Sequence, residues 1–328
     1  MKKVSILVPE SSVMQAIADP QYLFTTANHF LLAAGKSPLF DVELVGAKRE
    51  VKLNNGSYSI HTDRLLKEVK KTDLIFVPAL FGDMTAAIQQ NKSAIPWITE
   101  QYKKGAEVAS LCVGAFLLAS TGLLDGKKCS THWGFQSEFR EKFPEVTVVE
   151  GNIVTEEKRI YSSGGANSYW NLLLHLLEKY TNRETAILAS KYFAIDLDRN
   201  SQAVFSMFKG QKGHNDADIL KAQTYIEENV HEKITIDELA EKTSISRRTF
   251  ERRFKQATNN SVLEYINRVK IETAKRSFET SRKNINEVMF DVGYADTKAF
   301  RTMFKKVTGL SPIEYRNKYN RMSVPQNS

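Results

Sequence analysis

Two stretches of this chain, ISRRTFERRFKQATNNSVLEY (245–265) and ADTKAFRTMFKKVTGLSPIEY (295–315), repeat one another at an offset of 50 residues. Phe250 matches Phe300, Phe254 matches Phe304, Lys255 matches Lys305, Thr258 matches Thr308, Ser261 matches Ser311 and Tyr265 matches Tyr315. Upstream, ITIDELAEKTSIS (234–246) aligns with INEVMFDVGYAD (285–296), Leu239 facing Val288, if the second copy gains one residue in its turn. Each copy therefore reads as a short helix, a tight turn and a second helix whose phenylalanines, four apart, mark the buried face. Gly293 suits the turn because glycine reaches left-handed backbone angles at little cost. One amphipathic helix with basic neighbours is ordinary solvated surface. Two in register, each after a turn, constrain the tail to duplicated helix-turn-helix modules. The intervening VLEYINRVKIETAKRSF, apolar at 262, 266, 269 and 278, reads as a connecting helix.

In such a module the second helix presents its N-terminal residues to a DNA major groove. Ser246 and Asp296 are the expected N-caps. Burying the phenylalanines turns Arg247, Arg248, Thr249, Glu251 and Arg252 outward in the first copy, and Thr297, Lys298, Arg301 and Thr302 in the second. Arg248, Arg252 and Arg301 suit bidentate contacts to guanine. Two modules at fixed separation fit successive grooves of double-stranded DNA, about 34 Å apart on one face. Charge points the same way. The formal net charge is +8, and residues 211–328 carry 22 Lys and Arg against 16 Asp and Glu, while residues 1–210 carry 24 against 22. A basic tail behind a nearly neutral front favours a polyanionic partner for the tail.

The first two hundred residues follow a different rule. VSILVP (4–9), FDVELVG (40–46), DLIFVP (73–78) and EVASLC (107–112) are apolar runs, followed by helical patterns near Gln21–Ala34, Ala86–Gln90, Ile98–Lys104 and VGAFLLAS. VTVVEGNIV (146–154) and RIYSS (159–163) add strands before a helix over 167–180. Strands this apolar, each followed by a helix, predict an open α/β parallel sheet covered on both faces. The expected organisation is an α/β domain over 1–205, a linker over 206–217 where Gly, Lys and polar residues collect, an all-α domain over 218–320 and a tail over 321–328. No apolar run approaches membrane-spanning length, and the apolar stretch after Met1-Lys2-Lys3 is too short for a signal peptide, so a cytoplasmic protein without a membrane partner is expected. The two cysteines, Cys112 and Cys129, have neither disulfide-framework nor zinc spacing, and no metal is expected.

The most chemical-looking stretch is SLCVGAF (110–116). A strand ends at Cys112 and a helix follows at once, with small residues at 110 and 114 permitting a sharp elbow. A thiol at a helix N-terminus is expected to have a lowered pKa. Ligands of open α/β sheets bind outside the carboxyl ends of the strands. That rule outlines an effector pocket of Pro9, Glu10, Ala79, Cys112, Val113, His132, Trp133 and Ser163. Cys129 is expected to be an inert buried thiol.

Residues 219–317 resemble the two-module DNA-binding domain of the AraC/XylS family of bacterial transcription regulators. The resemblance is carried by Val292-Gly293-Tyr294, Phe300, Phe304-Lys305-Lys306, Gly309, Ser311-Pro312 and Tyr315-Arg316. Met289 stands where that family usually has alanine, and Asn259-Asn260 replaces the turn glycine of the first copy. ASLCVGAFLLASTGLLDGKKCSTHW (109–133) resembles the flavodoxin-like class I glutamine amidotransferase-like superfamily, which includes intracellular proteases, in the GlxA-like branch fused to AraC-type domains. YSSGGANSYWNLLLHLLEKY (161–180), and Gln202 with Phe205, fit that branch as well. The resemblance implies that Phe300, Phe304 and Tyr315 are core and that Ser311-Pro312 opens a last short helix. It also implies a homodimeric regulator with a small, nitrogenous effector, no cofactor, and RNA polymerase as a further candidate partner. Enzymatic relatives use the elbow cysteine on carbonyl substrates, with a histidine and an acid. Here no histidine follows Cys112, Ala79-Leu80 stands where enzymes have glycines, and Tyr22 falls about where the acid is expected. A regulator without catalytic residues is therefore the expectation. A cysteine-dependent hydrolase or aldehyde-processing enzyme using Cys112, and a redox-sensing regulator, are the alternatives.

Overall fold

The computed structural model describes residues 1–197, 199 and 201–320. They form two compact units, Met1–Gln202 and the chain from Ala203 onward. The tail expected at 321–328 lies outside the described residues.

In the first unit the chain runs β1 (Lys2–Leu7), α1 (Gln15–Ala33), β2 (Phe40–Gly46), a hairpin of β3 (Glu50–Leu53) and β4 (Tyr58–His61), β5 (Arg64–Leu65) and β6 (Leu74–Val77). It continues with α2 (Met84–Gln90), α3 (Ala94–Lys103), β7 (Glu107–Ser110), α4 (Ala115–Ala119), β8 (Lys128–Cys129), α5 (Gln136–Lys142) and β9 (Thr147–Val148). β10 (Val154–Glu157), β11 (Ile160–Ser163), α6 (Tyr169–Tyr180) and α7 (Arg183–Phe193) complete it. Seven strands make one sheet in the order β10-β11-β7-β6-β1-β2-β5. All pair in parallel except β10, which is antiparallel to β11. Every residue of β6 and β11 is buried, as required of strands covered on both faces.

Three sequence expectations change here. The first helix begins at Gln15 and runs through Pro20, because a proline in the second turn removes only one helical hydrogen bond. Residues 146–154 are two strands, not one: Gly151 takes φ 81 and turns the chain, so β9 pairs with β8 and β10 starts a separate hairpin. The strand expected to reach Cys112 ends at Ser110, since Cys112 itself adopts a left-handed φ of 56.

From Ala203 on, the described elements are helical: α8 (Ala217–Glu228), α9 (Ile236–Lys242), α10 (Arg247–Thr258), α11 (Val262–Thr280), α12 (Ile285–Asp291), α13 (Thr297–Thr308) and α14 (Pro312–Tyr319). Two apolar cores form. One gathers Ile219, Leu239, Phe250, Phe254 and Tyr265; the other gathers Phe278, Val288, Phe300, Phe304 and Tyr315. All four phenylalanines of the repeat are fully buried, each worth about 1.5–3 kcal/mol of apolar burial. The repeat extends to packing geometry, with Phe254 and Tyr265 edge-to-face at 5.3 Å and Phe304 and Tyr315 at 5.4 Å. It extends to caps as well. Ser261 with Glu264, and Ser311 with Glu314, form capping boxes. Asn259 takes the same left-handed helix-ending conformation as Gly309.

The stretch expected as a linker is hydrogen-bonded against this second unit. Lys275 Nζ donates to Ser206 O at 2.5 Å, Phe208 N donates to Glu272 Oε2 at 3.1 Å, and Gln223 Nε2 donates to Gln211 O at 3.0 Å. Val204 packs beside the second core and Phe208 beside the first.

Candidate nucleic-acid interface and cysteine site

The outward faces of α10 and α13 follow from which residues the cores remove. With Phe250, Phe254 and Thr258 buried on α10, Arg248 and Arg252 stand exposed, and Thr249 and Glu251 are half-buried. With Phe300, Phe304 and Thr308 buried on α13, Lys298, Arg301 and Thr302 are exposed and Thr297 is half-buried. Asp296 caps α13 by accepting from Ala299 N at 2.6 Å. Ser246 precedes α10 without a side-chain bond to its backbone; its hydroxyl instead bonds Thr249 Oγ1 at 3.0 Å. The turn before α10 is Thr243–Ser246 and the turn before α13 is Val292–Asp296, which is the one-residue gain that the alignment required.

The arginines of α10 divide by partner. Arg247 donates to Asp237 on α9 at 2.9 and 3.2 Å, so its guanidinium ties the module's two helices together. Arg253, which the sequence did not single out, is held by Asp216 at 2.6 and 2.9 Å and by Asp218 at 3.0 Å, clamping α10 to the start of α8. That clamp holds the Asp216 carboxyl below the usual carboxylate range. Its sequence signal was the acidic pair at 216 and 218 opening a helix. Arg248, Arg252, Lys298 and Arg301 have no ion pair among the described residues, and they leave a cationic surface on both second helices.

The cysteine lies at the carboxyl end of β7, in a tight turn over Cys112–Gly114. Gly114 is needed there, because a Cβ would sit 2.3 Å from Val77 O and 2.5 Å from Pro78 O. Cys112 N donates to Ser163 Oγ at 3.1 Å, Ala166 N donates to Cys112 Sγ at 3.4 Å, and Thr131 Oγ1 donates to Cys112 O at 3.2 Å. Cys112 and Ala166, at φ 56 and 40, are both in the left-handed region, a strain that the surrounding bonds must hold. The expected low thiol pKa is not found. Burial pushes Cys112 up to about 11, outweighing the Ala166 and Val113 amides that favour the thiolate. α4 has only five residues, so its dipole cannot compensate for desolvation. Cys129 is buried too, its thiol raised to about 12.

His132 is half-buried, its pKa lowered by burial, and its Nδ1 accepts from Gly134 N at 3.0 Å. Trp133 stacks against it at 5.1 Å. No hydrogen bond joins His132 to Cys112 among the described residues. Ala79 is buried, its carbonyl accepting from Val13 N at 2.8 Å. Pro9 and Glu10 separate from the cysteine cluster: they border a cavity of about 340 Å³ with Lys48, Val51, Leu66 and Asn91, and Glu10 pairs with Lys48 at 2.7 Å. The expected pocket therefore divides, with Cys112 and Ser163 in contact and Pro9 and Glu10 elsewhere.

Two residues beyond the sequence reading of this site belong beside it. Asp19 accepts from Tyr169 OH at 2.6 Å and Trp170 Nε1 at 2.9 Å; an acid one turn before Tyr22 was its only sequence signal. Gln202, 1% exposed, accepts from Gly165 N at 2.9 Å and donates to Thr131 O at 3.0 Å and Asn152 O at 3.2 Å. It spans the backbone segments that carry the bonds to Cys112.

Comparison with known proteins decides what this arrangement belongs to. The DJ-1/PfpI family profile matches residues 2–179. The chain belongs to the DJ-1/PfpI family. A helix-turn-helix domain profile matches residues 239–318, and this C-terminal part of the DJ-1/PfpI chain is of the AraC type. The regulator GbdR of Pseudomonas aeruginosa is 28% identical over 223 residues, covering 68% of this chain and 60% of GbdR. The chain thus spans less than two thirds of that relative's length. The regulator CdhR of the same organism is 23% identical over 312 residues, covering 95% of this chain and 90% of CdhR. Both are named as helix-turn-helix-type transcriptional regulators. Among solved structures, an AraC family transcriptional regulator from Pseudomonas putida superposes at a TM-score of 0.51 with 17% identity, over 59% of this chain and all of that one. A THiJ/PfpI family protein from Pseudomonas syringae does so at 0.51 with 15% identity, over 60% of this chain and 76% of that one. These place the DJ-1/PfpI fold.

Proposed function

We propose that the chain is a sequence-specific DNA-binding transcription regulator, its two modules reading two segments of major groove and its DJ-1/PfpI unit binding a small effector. The observation that carries this is the matched pair of second helices, α10 and α13, each fixed by two buried phenylalanines and each presenting unpaired cations. Arg248, Arg252 and Arg301 read bases; Lys298, Lys305 and Lys306 meet phosphates; Thr249, Thr297 and Thr302 complete the contact, with Glu251 available to cytosine. Arg247 contributes by holding α9 against α10.

The effector site is the cysteine end of the sheet, where Cys112, Val113, Ser163, His132 and Trp133 collect, and buried Gln202 braces the backbone around it. The raised thiol pKa argues against a nucleophile there. The chain acts as a homodimer in this reading. Tyr22, Leu188 and Tyr192 on α1 and α7 are 54%, 48% and 57% exposed, an apolar surface suited to self-association. RNA polymerase is the further partner such a regulator would engage.

The test is duplex selection from a random pool by the full chain, followed by titration of salt. A selected duplex should be preferred over random competitor, and log Kobs should fall with log salt at about 0.9 per phosphate neutralised. Absence of any preferred duplex at low ionic strength would end the reading. A thermal-shift screen of small metabolites against the full chain tests the effector half, since a true ligand stabilises the state it binds.

A further inference from the structure

α11 belongs to both modules. Tyr265, Ile266 and Val269 enter the first core, and Ile271, Ala274 and Phe278 enter the second. Between these sets stands Lys270, only 7% exposed. Its Nζ donates to Val230 O at 2.7 Å, Glu232 O at 2.9 Å and Val292 O at 2.8 Å. Val230 and Glu232 lie in the α8–α9 loop of the first module, whereas Val292 opens the α12–α13 turn of the second. The ammonium is thus held by three carbonyl dipoles drawn from both modules, with no carboxylate bonded to it among the described residues. The second module's turn closes on the same point. A Cβ at Gly293 would lie 2.5 Å from His231 O and 2.6 Å from Lys270 Nζ. Tyr294 OH donates to Asn267 Oδ1 of α11 at 2.9 Å.

We propose that Lys270 is a positioning residue that fixes the angular phase between the two modules, and so selects the spacing of the two DNA segments they read. This rests on the DNA-reading function proposed above. Lys270 is buried, so it acts through the backbones of both modules and not by touching DNA. Each module has its own core; besides α11 and the 204–208 segment that touches both cores, this three-carbonyl joint ties the loop of one module to the turn of the other. Without the ammonium, three carbonyls lose their shared donor, and the turn carrying Gly293 loses its tie to the opposite loop.

The experiment uses the full chain, the duplex that the wild type selects from a random pool, and the same duplex with one base pair inserted between the two contacted segments. One base pair turns the second segment by about 34° and moves it by about 3.4 Å. The wild type should lose about 50-fold in affinity on insertion, the cost of losing one module's base contacts. Lys270→Met keeps the aliphatic stem and removes the ammonium. It should bind the selected duplex about 10-fold more weakly, yet lose less than about threefold more on insertion, with an unchanged salt slope. A folded Lys270→Met chain that keeps the full insertion penalty overturns the proposal. If Lys270→Met does not fold, Tyr294→Phe, which removes one hydrogen bond at the same joint, should lower the insertion penalty. A penalty equal to that of the wild type would then overturn it. A wild type that selects no duplex sinks the DNA-reading function itself, and this inference with it.

Discussion

The Cys112 thiol is enclosed at the carboxyl end of β7, where its Sγ accepts from Ala166 N. Cys112 stands where a reactive thiol is expected, but it is 6% exposed and its thiol is raised to about 11. At pH 8 it should alkylate with iodoacetamide at least about 100-fold more slowly in the folded chain than in the unfolded one, read by mass spectrometry. The folded state binds this proton more tightly than the unfolded state. The stabilisation is therefore complete below the unfolded thiol's value near 8.5 and is lost as pH rises towards 11. For Cys112 that is about 3 kcal/mol, visible as a falling denaturation midpoint of the first unit in alkali. Arg252→Ala and Arg301→Ala should each relax base preference at one position by about 1–3 kcal/mol, measured by competition among mutated duplexes. Uniform weakening across sequences would show contact with phosphate alone. The sequence carried the outward cations, because helical periodicity alone places them. It could not show that Arg247 is engaged by Asp237, or that Glu10 turns to Lys48, since both pairings depend on how distant segments fold together.

Among the elements, legibility followed the strength of the periodic signal. α10 and α13 were readable because their phenylalanines recur four apart and recur again 50 residues on. Residues 146–154 read as one strand because an apolar run says nothing about a glycine at φ 81 inside it. The helix α7 and the β3–β4 hairpin went unread, the first for want of a strong apolar stripe and the second because its strands are short and largely exposed. Gly293→Ala should destabilise the second unit markedly, since its Cβ would strike His231 O and its φ of 72 disfavours any side chain. Calorimetry on the variant reads this. Arg253→Ala should lower the melting temperature of the second unit while leaving base preference as in the wild type, because both its partners lie on α8 or just before it.

Across the whole molecule an α/β front and a helical tail are legible from apolar patterning, and the compact units divide at Gln202–Ala203, before the stretch that reads as a linker. Residues 206–217 lack apolar periodicity, which is why they read as a spacer. What orders them is polar bonding to Glu272, Lys275, Gln223 and Asn260, which no local pattern announces. The Phe208 amide should accordingly show slow hydrogen exchange in the full chain, where a free spacer would exchange at once. The short segment from Val204 to Phe208 also braces each of the two cores with one side chain. An excised tail starting at 218 would forfeit both braces together, so the shortest self-standing fragment begins near 203. Whatever tugs this segment loosens the two helical cores at once and cannot unsettle one while sparing the other.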